Sequence, residues 1–314
     1  MRKTLKLNER TELQLNHYLK FHRGNAILFG EKHLGKHLAA LELAKILLCK
    51  RKDAGDCESC AGCQTSPLYN LDFMEIAPEN GCIKVEQIRQ AIDHAGYKSV
   101  LGSKKVFVID DADTMSEASQ NALLKIMEDG EESSIFLLVA HRPLLKTVSS
   151  RGMLIHFFPP DMENAENPVL RFMSEGKPGI AERYKESEFL KFSESFMRML
   201  SRTNDRRDIL KELGELREKN QDAFFVKFAD EEKDCFLSML EKLFRSSLCL
   251  RAGIPCEKSI SDIAVHVNEL YDMGEISAIA KEAMLQKQKL RQHRYGKNDF
   301  FYLVMMLGGN GYVI

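Results

Sequence analysis

The sequence predicts an α/β domain built on a parallel sheet, followed by an all-helical region. Three observations lead there. Short apolar runs alternate with amphipathic stretches through the first half of the chain, the pattern of strands flanked by helices. One of those runs, "NAILFG", delivers the chain into a glycine-rich turn that opens a helix. After Pro159-Pro160 the texture changes to long helical patterns such as "DCFLSMLEKLFRSSLCL", with no convincing strand.

Taken in order, the expected strands are 25–30, 72–76, 105–110, 134–140 and 154–158, each a short apolar run. The stretch "LGKHLAALELAKILL" reads as a helix packed on the sheet through Leu38, Leu41, Ala44, Ile46 and Leu48. "KVEQIRQAIDHA" and "SEASQNALLKIMED" read as further helices, the second opened by a Ser116 cap. From about residue 160 the chain is expected to be helical throughout, in one small domain and then a larger one.

Bulk properties narrow the function. A chain of 314 residues is too long for one ordinary core, so two or three domains are expected. Hydrophobic content of 44% with 29% charged residues describes a soluble globular protein. A net charge of −1 gives no global field for a polyanion, so nucleic-acid binding would need a local patch. The N-terminal "MRKTLKLNERTELQLN" is basic without an apolar core, and no window approaches the roughly 18 apolar residues of a membrane span. A cytoplasmic protein with no membrane partner is the reading that follows. In that reducing compartment, clustering among the eight cysteines points to metal rather than to disulfides.

Three constellations carry chemistry. Gly30, Gly35 and Lys36 fit the phosphate-loop pattern G-x-x-x-x-G-K-[ST], in which backbone N–H groups and a helix N-terminus face phosphates. His37 then stands where the magnesium-binding hydroxyl belongs, and an imidazole is a bulkier and softer group than that hard oxygen ligand. Loss of function with retention of shape is the competing reading. The second constellation is "KVFVIDDADTM", an apolar strand ending in Asp110 and Asp111 like a Walker B segment. There the first carboxylate would orient magnesium's water and the second, a methylene shorter than the usual glutamate, the attacking water. Asp110 and Asp111 would serve equally well to end a strand and begin a turn.

The third is the spacing C-x7-C-x2-C-x2-C at Cys49, Cys57, Cys60 and Cys63, with Gly55 and Gly62 between. Four thiolates can close a tetrahedral shell around zinc, which leaves no open position and makes the metal structural. The remaining Cys82, Cys235, Cys249 and Cys256 are dispersed and read as core residues.

The order of glycine loop, four-cysteine insertion, "LDFMEIAPENGCIKVEQIRQAI", "VIDDADTMSEASQNALLKIMED" and "PLLKTVSSRGMLIHFF" closely resembles the delta-prime family of bacterial DNA polymerase III clamp-loader subunits, which are AAA+ proteins. The likeness is ordered over about residues 5–160, with "GKPGIAE" carrying it weakly further. It implies a RecA-like AAA+ domain over 1–160 with the insertion at 49–63, a helical lid over 161–205, and a helical collar over 206–314 that assembles a ring. It implies as partners the gamma/tau ATPase subunits, the delta subunit, the sliding clamp and, through the complex, primer-template DNA. It also implies a role as a stator that helps open the clamp and load it.

In the resemblance Lys36, Gly30 and Gly35 match and His37 departs, while Lys177 and Gly179 lie where active members offer a lid arginine. ATP binding is therefore doubtful and no intrinsic turnover is expected. "SSRG" matches the family's Ser-Arg-Cys motif at Ser150 and Arg151, with Gly152 in place of the cysteine. That implies that Arg151 is catalytic in trans, on a neighbouring subunit's ATP. Two other readings stay open: an active gamma/tau-type ATPase, favoured by Lys36 and Asp110, and a zinc-dependent nucleic-acid-binding protein, favoured by the cysteines and the basic run 286–297.

Overall fold

The computed structural model describes residues 7–49, 60, 70–100, 104–129, 133–160, 167–209, 228–256 and 260–308. The chain divides into two compact units, one of residues 1–161 with Lys177–Gly179, the other of 162–176 with 180–314.

The first unit holds β1 (Ala26–Phe29), β2 (Phe73–Ile76), β3 (Lys105–Ile109), β4 (Ser134–Ala140) and β5 (Met153–His156), all five strands expected from the apolar runs. They form one sheet in the order β2-β3-β4-β1-β5, and every neighbouring pair is parallel. A parallel sheet buried on both faces has continuous apolar strands, and β4 is buried at every position. Alternate residues feed two cores. Leu28, Val106, Val108, Leu137 and Ile155 face one side with α1 (Glu9–His17) and α2 (Lys36–Leu48). Ile27, Phe107, Ile109, Phe136 and Leu138 face the other with α3 (Val85–Ala95) and α4 (Glu117–Asp129).

Helix α2 packs on the sheet through Ala44 and Leu48, as expected, with Leu41 against the same core, but its buried face is shifted from the one its leucines suggest. Ala39, Ala40, Leu43, Ala44 and Leu48 are buried, whereas Leu38 is 55% exposed. Small alanines let the helix lie close to the strands, so the three- and four-residue spacing that matters runs through them. Helix α4 begins as expected, with Ser116 Oγ accepting the Ser119 N–H at 3.1 Å.

Helix α1 had no sequence signal strong enough to be assigned, yet it closes the sheet's β5 edge. Thr11 Oγ1 donates to the His156 carbonyl (3.0 Å) and accepts the Phe158 N–H (3.2 Å), and Gln14 Oε1 accepts the His156 N–H at 2.7 Å. Side chains thus take up the backbone groups that an open edge strand would offer to another chain.

In the second unit the described residues form no strand. They make α6 (Pro168–Ser174), α7 (Pro178–Tyr184), α8 (Glu188–Arg202), α9 (Asp230–Arg251), α10 (Ser261–Leu270), α11 (Met273–Arg291) and α12 (Lys297–Leu307), while a short α5 (Lys146–Ser149) precedes β5 in the first unit. One core runs through this unit from Phe172 and Phe196 to Phe236, Phe244, Ile279 and Leu303. Arg206 ties its segments together, meeting both oxygens of Glu275 at 2.6 Å and lying 4.5 Å from the centre of the Tyr271 ring.

Candidate functional site

Parallel strands bring the chain's loops to two rims. At the carboxyl rim β1 runs into Gly30, β3 into Asp110 and β4 into His141. The loop after β1 turns through Gly35, whose φ of 82° is strained for any L side chain, and Gly35 is the N-cap of α2. Gly30 is fixed by packing: a Cβ there would stand 2.5 Å from the Phe157 carbonyl oxygen. Gly30→Ala should therefore destabilise the fold by about 1–3 kcal/mol, read as a lower urea midpoint with unchanged slope. A glycine at this place has a structural cause whether or not a phosphate ever binds.

Lys36 is buried, and its ammonium donates to the Glu31 carbonyl of its own loop at 2.5 Å. Burial pulls its pKa from 10.5 down to about 8, against the attraction of Asp110, Asp111 and Asp113. Between about pH 8 and 10.5 the unfolded chain holds a proton that the folded chain has released, so the stability from this group is lowest below pH 8 and rises through that window. Against Lys36→Met, the unmodified chain should gain on the order of 1–3 kcal/mol between pH 7.5 and 10 in paired urea titrations.

His37 engages the neighbouring strand. Its Nε2 meets Glu75 Oε1 of β2 at 2.7 Å. Burial raises the Asp110 carboxyl above the usual carboxylate range while the neighbouring His37 pulls it back. Asp111 adopts a left-handed φ of 45° and is paired with His141 Nε2. The same turn is braced by Asp113, which accepts the His141 N–H (2.9 Å) and Arg142 Nε (2.8 Å). Burial works to raise Asp113, but those hydrogen bonds outweigh it and its carboxyl lies below the usual range. Of the two carboxylates of the Walker-like segment, Asp111 is thus held by His141, while Asp110 accepts the Asp111 N–H at 3.0 Å.

The segment Lys177–Gly179 belongs to the same compact unit and lies on the loop. Gly179 N–H donates to the His33 carbonyl (3.0 Å), Lys177 Nζ pairs with Glu31 Oε2 (2.9 Å), and a Cβ at Gly179 would come 3.1 Å from that carbonyl oxygen.

At the opposite, amino rim stand the other two sets of residues. Cys49 caps the end of α2 and is buried, with its sulfur 4.0 Å from that of Cys60. Neighbouring sulfurs on a tetrahedral zinc with bonds of about 2.3 Å lie roughly 3.8 Å apart, so the pair fits one shell. Cys57 and Cys63 lie outside the described residues, and among the described residues no group of three metal-binding side chains occurs. Of the dispersed cysteines, Cys82 is exposed rather than in a core, because it sits in the bridged turn Glu79–Cys82; Cys235, Cys249 and Cys256 are partly buried.

Arg151 precedes β5, the edge strand beside β1. Its Nε donates to Glu128 Oε1 at 2.6 Å, its Nη2 points to the same oxygen, and its Nη1 donates to the Thr147 carbonyl at 2.6 Å. The glycine loop leaves β1 at the far end of a four-residue strand, roughly 13 Å on. Arg151 and its own chain's loop therefore stand at opposite ends of the strands.

A family profile described as "DNA polymerase III, delta subunit" matches residues 9–161, from the first residue of α1 to the end of the sheet-bearing unit. The delta-prime subunit of Pseudomonas aeruginosa is 34% identical over 131 residues, 40% of each chain. That of Bacillus subtilis is 29% identical over 264 residues, 77% of each chain. The chain is similar to the delta-prime subunits of DNA polymerase III, through its sheet-bearing half in the family profile and over most of its length in the Bacillus relative. The tau/gamma subunit of Haemophilus influenzae is also similar, 34% identical over 139 residues, which span 42% of this chain and 20% of that one. The match to the Pseudomonas delta-prime subunit spans less than two thirds of that relative, and the family profile covers the half of this chain with the sheet.

In the folded chain, the basic run 286–297 looks different from its sequence. Lys287 pairs with Glu241 (3.0 Å), Lys289 with Asp299 (2.5 Å) and Arg291 with Asp234 (3.4 Å), while Gln286 is buried. Three of its charges are answered within the helical unit. The sequence reading missed Glu75, His141, Asp113 and Glu128; each lies far along the chain from the residue it contacts, and no local pattern marks it.

Proposed function

We propose that this chain is a cytoplasmic delta-prime-type subunit of the DNA polymerase III clamp loader, a largely non-hydrolysing stator that helps load the sliding clamp onto primed DNA. Its partners on this reading are gamma/tau ATPases, delta, the clamp and, through the complex, DNA. The observation that carries the stator reading is the pairing of His37 with Glu75 and of Asp111 with His141. A hard magnesium ion needs an oxygen where His37 stands, and an attacking water needs a carboxylate that is not already bonded to an imidazole. Were ATP and magnesium present, they would supply the phosphoryl group and its charge neutralisation; Lys36 and Asp110 are the residues left to meet them.

The placement of Arg151, at the opposite end of the strands from its own loop, supports the reading that it is an arginine finger for a neighbouring subunit. The separation of the Cys49 and Cys60 sulfurs supports a structural zinc on Cys49, Cys57, Cys60 and Cys63, which would fix the end of α2 and take no part in turnover. An active gamma/tau-type ATPase is the second reading, favoured by Lys36, Asp110 and the tau/gamma likeness. Steady-state hydrolysis by the purified chain decides between them. The stator hydrolyses no ATP alone, and turnover that Lys36→Ala abolishes would establish the motor instead.

A further inference from the structure

We propose that Glu128 is a positioning residue for Arg151, holding the guanidinium neutralised on its own chain until a terminal phosphate on a neighbouring subunit takes the carboxylate's place. This rests on the reading of Arg151 as a finger that acts in trans. Glu128 lies at the end of α4, and the residue before it is anchored from the sheet: Asn25 Nδ2 donates to the Met127 carbonyl at 2.9 Å, while Asn25 Oδ1 accepts the Phe136 N–H at 2.9 Å. The backbone under Glu128 is thereby fixed, so the two side chains meet by construction. Nε and Nη2 of Arg151 both address Glu128, and Nη1 addresses Thr147.

A carboxylate and a phosphate compete for the same fork of donors, and two anions on one guanidinium repel each other. Capture of a phosphate therefore expels Glu128. The exchange is within reach because the pair is open to water, with Glu128 52% and Arg151 27% exposed, and exposed ion pairs are weak. A bare arginine on that rim would take any phosphate oxygen, including the singly charged diesters of a nucleic-acid backbone. A carboxylate partner raises the threshold and favours the more highly charged terminal group of a triphosphate.

The test uses the loader reconstituted from full-length subunits, with this chain unmodified, Glu128→Gln, Arg151→Ala or both. Glutamine keeps the size of the side chain and an acceptor oxygen but removes the charge. Glu128→Gln should lower KM for ATP, in the Arg151-dependent share of DNA-stimulated hydrolysis, by about two- to five-fold with kcat and assembly unchanged. The shift should vanish when Arg151 is alanine. If Arg151→Ala impairs the loader while Glu128→Gln leaves KM the same or raises it, the role of Glu128 is overturned and the finger stands. A shift that persists in the double variant overturns it as well, since Glu128 then acts through something else. If Arg151→Ala alone changes nothing, the finger reading itself falls and the role of Glu128 falls with it.

Discussion

A loader assembled with Arg151→Ala in this chain will load clamps more slowly and lose part of its DNA-stimulated ATPase activity, while folding, zinc content and assembly stay as they were. Arginine fingers are worth roughly 10³ to 10⁵ in rate at the site they serve, because a planar guanidinium stabilises charge as it spreads over the transferred phosphoryl group. The loss in total turnover is smaller, since other sites of the ring keep their own arginines. Arg151→Lys will not restore full activity: an ammonium lacks the planar fork that engages two oxygens at once. The side chain's exposed setting, bonded to Glu128 and Thr147 and not to the cores, is why the fold should survive the change. Clamp loading at the unmodified rate by the alanine variant would reduce this chain to a scaffold.

The purified, reduced chain is expected to carry one zinc, and chelation is expected to lower its thermal stability. Structural zinc sites supply about 10–16 kcal/mol of apparent binding free energy in small finger peptides, where folding and binding are one event. Here α2 is already anchored through Leu43, Ala44 and Leu48, so the loss should fall on the end of that helix and the loop that follows, leaving the sheet folded. Cys60→Ser combined with Cys63→Ser should abolish metal content in elemental analysis. Far less than one equivalent in the unmodified chain, or full metal in the double variant, would remove zinc from this account.

Much of the sheet was legible in the sequence because a strand buried on both faces has to be apolar along its whole length, and 105–109 and 134–140 have almost nothing polar between their ends. The glycine loop was legible for a similar reason, since its backbone geometry leaves few residue choices. Helix α1 was not, because Thr11 and Leu15 alone are buried in its nine residues and Thr11 and Gln14 bond to an edge strand 142 or more residues away. The buried face of α2 was read correctly at Ala44 and Leu48 but not at Leu38, because leucines weigh more than alanines in any hydropathy pattern, although close packing on a sheet favours the smaller side chain. At the candidate site, His37 departs visibly from the loop pattern in the sequence, but its partner Glu75 could not be found from spacing. His141 with Asp111, and Glu128 with Arg151, are likewise pairs that only the folded topology brings together, 30 and 23 residues apart.

Because the loop and Arg151 stand on opposite rims of one sheet, the two are subject to separate selection. On the stator reading, a substitution at the carboxyl rim needs only to preserve packing: glycine beneath the Phe157 carbonyl, an imidazole against Glu75. None of those demands reaches across the strands to the residues that hold Arg151. A lineage can thus let its own nucleotide chemistry decay without harming what the other rim offers to a neighbour, and the neighbour's fitness alone then polices that rim.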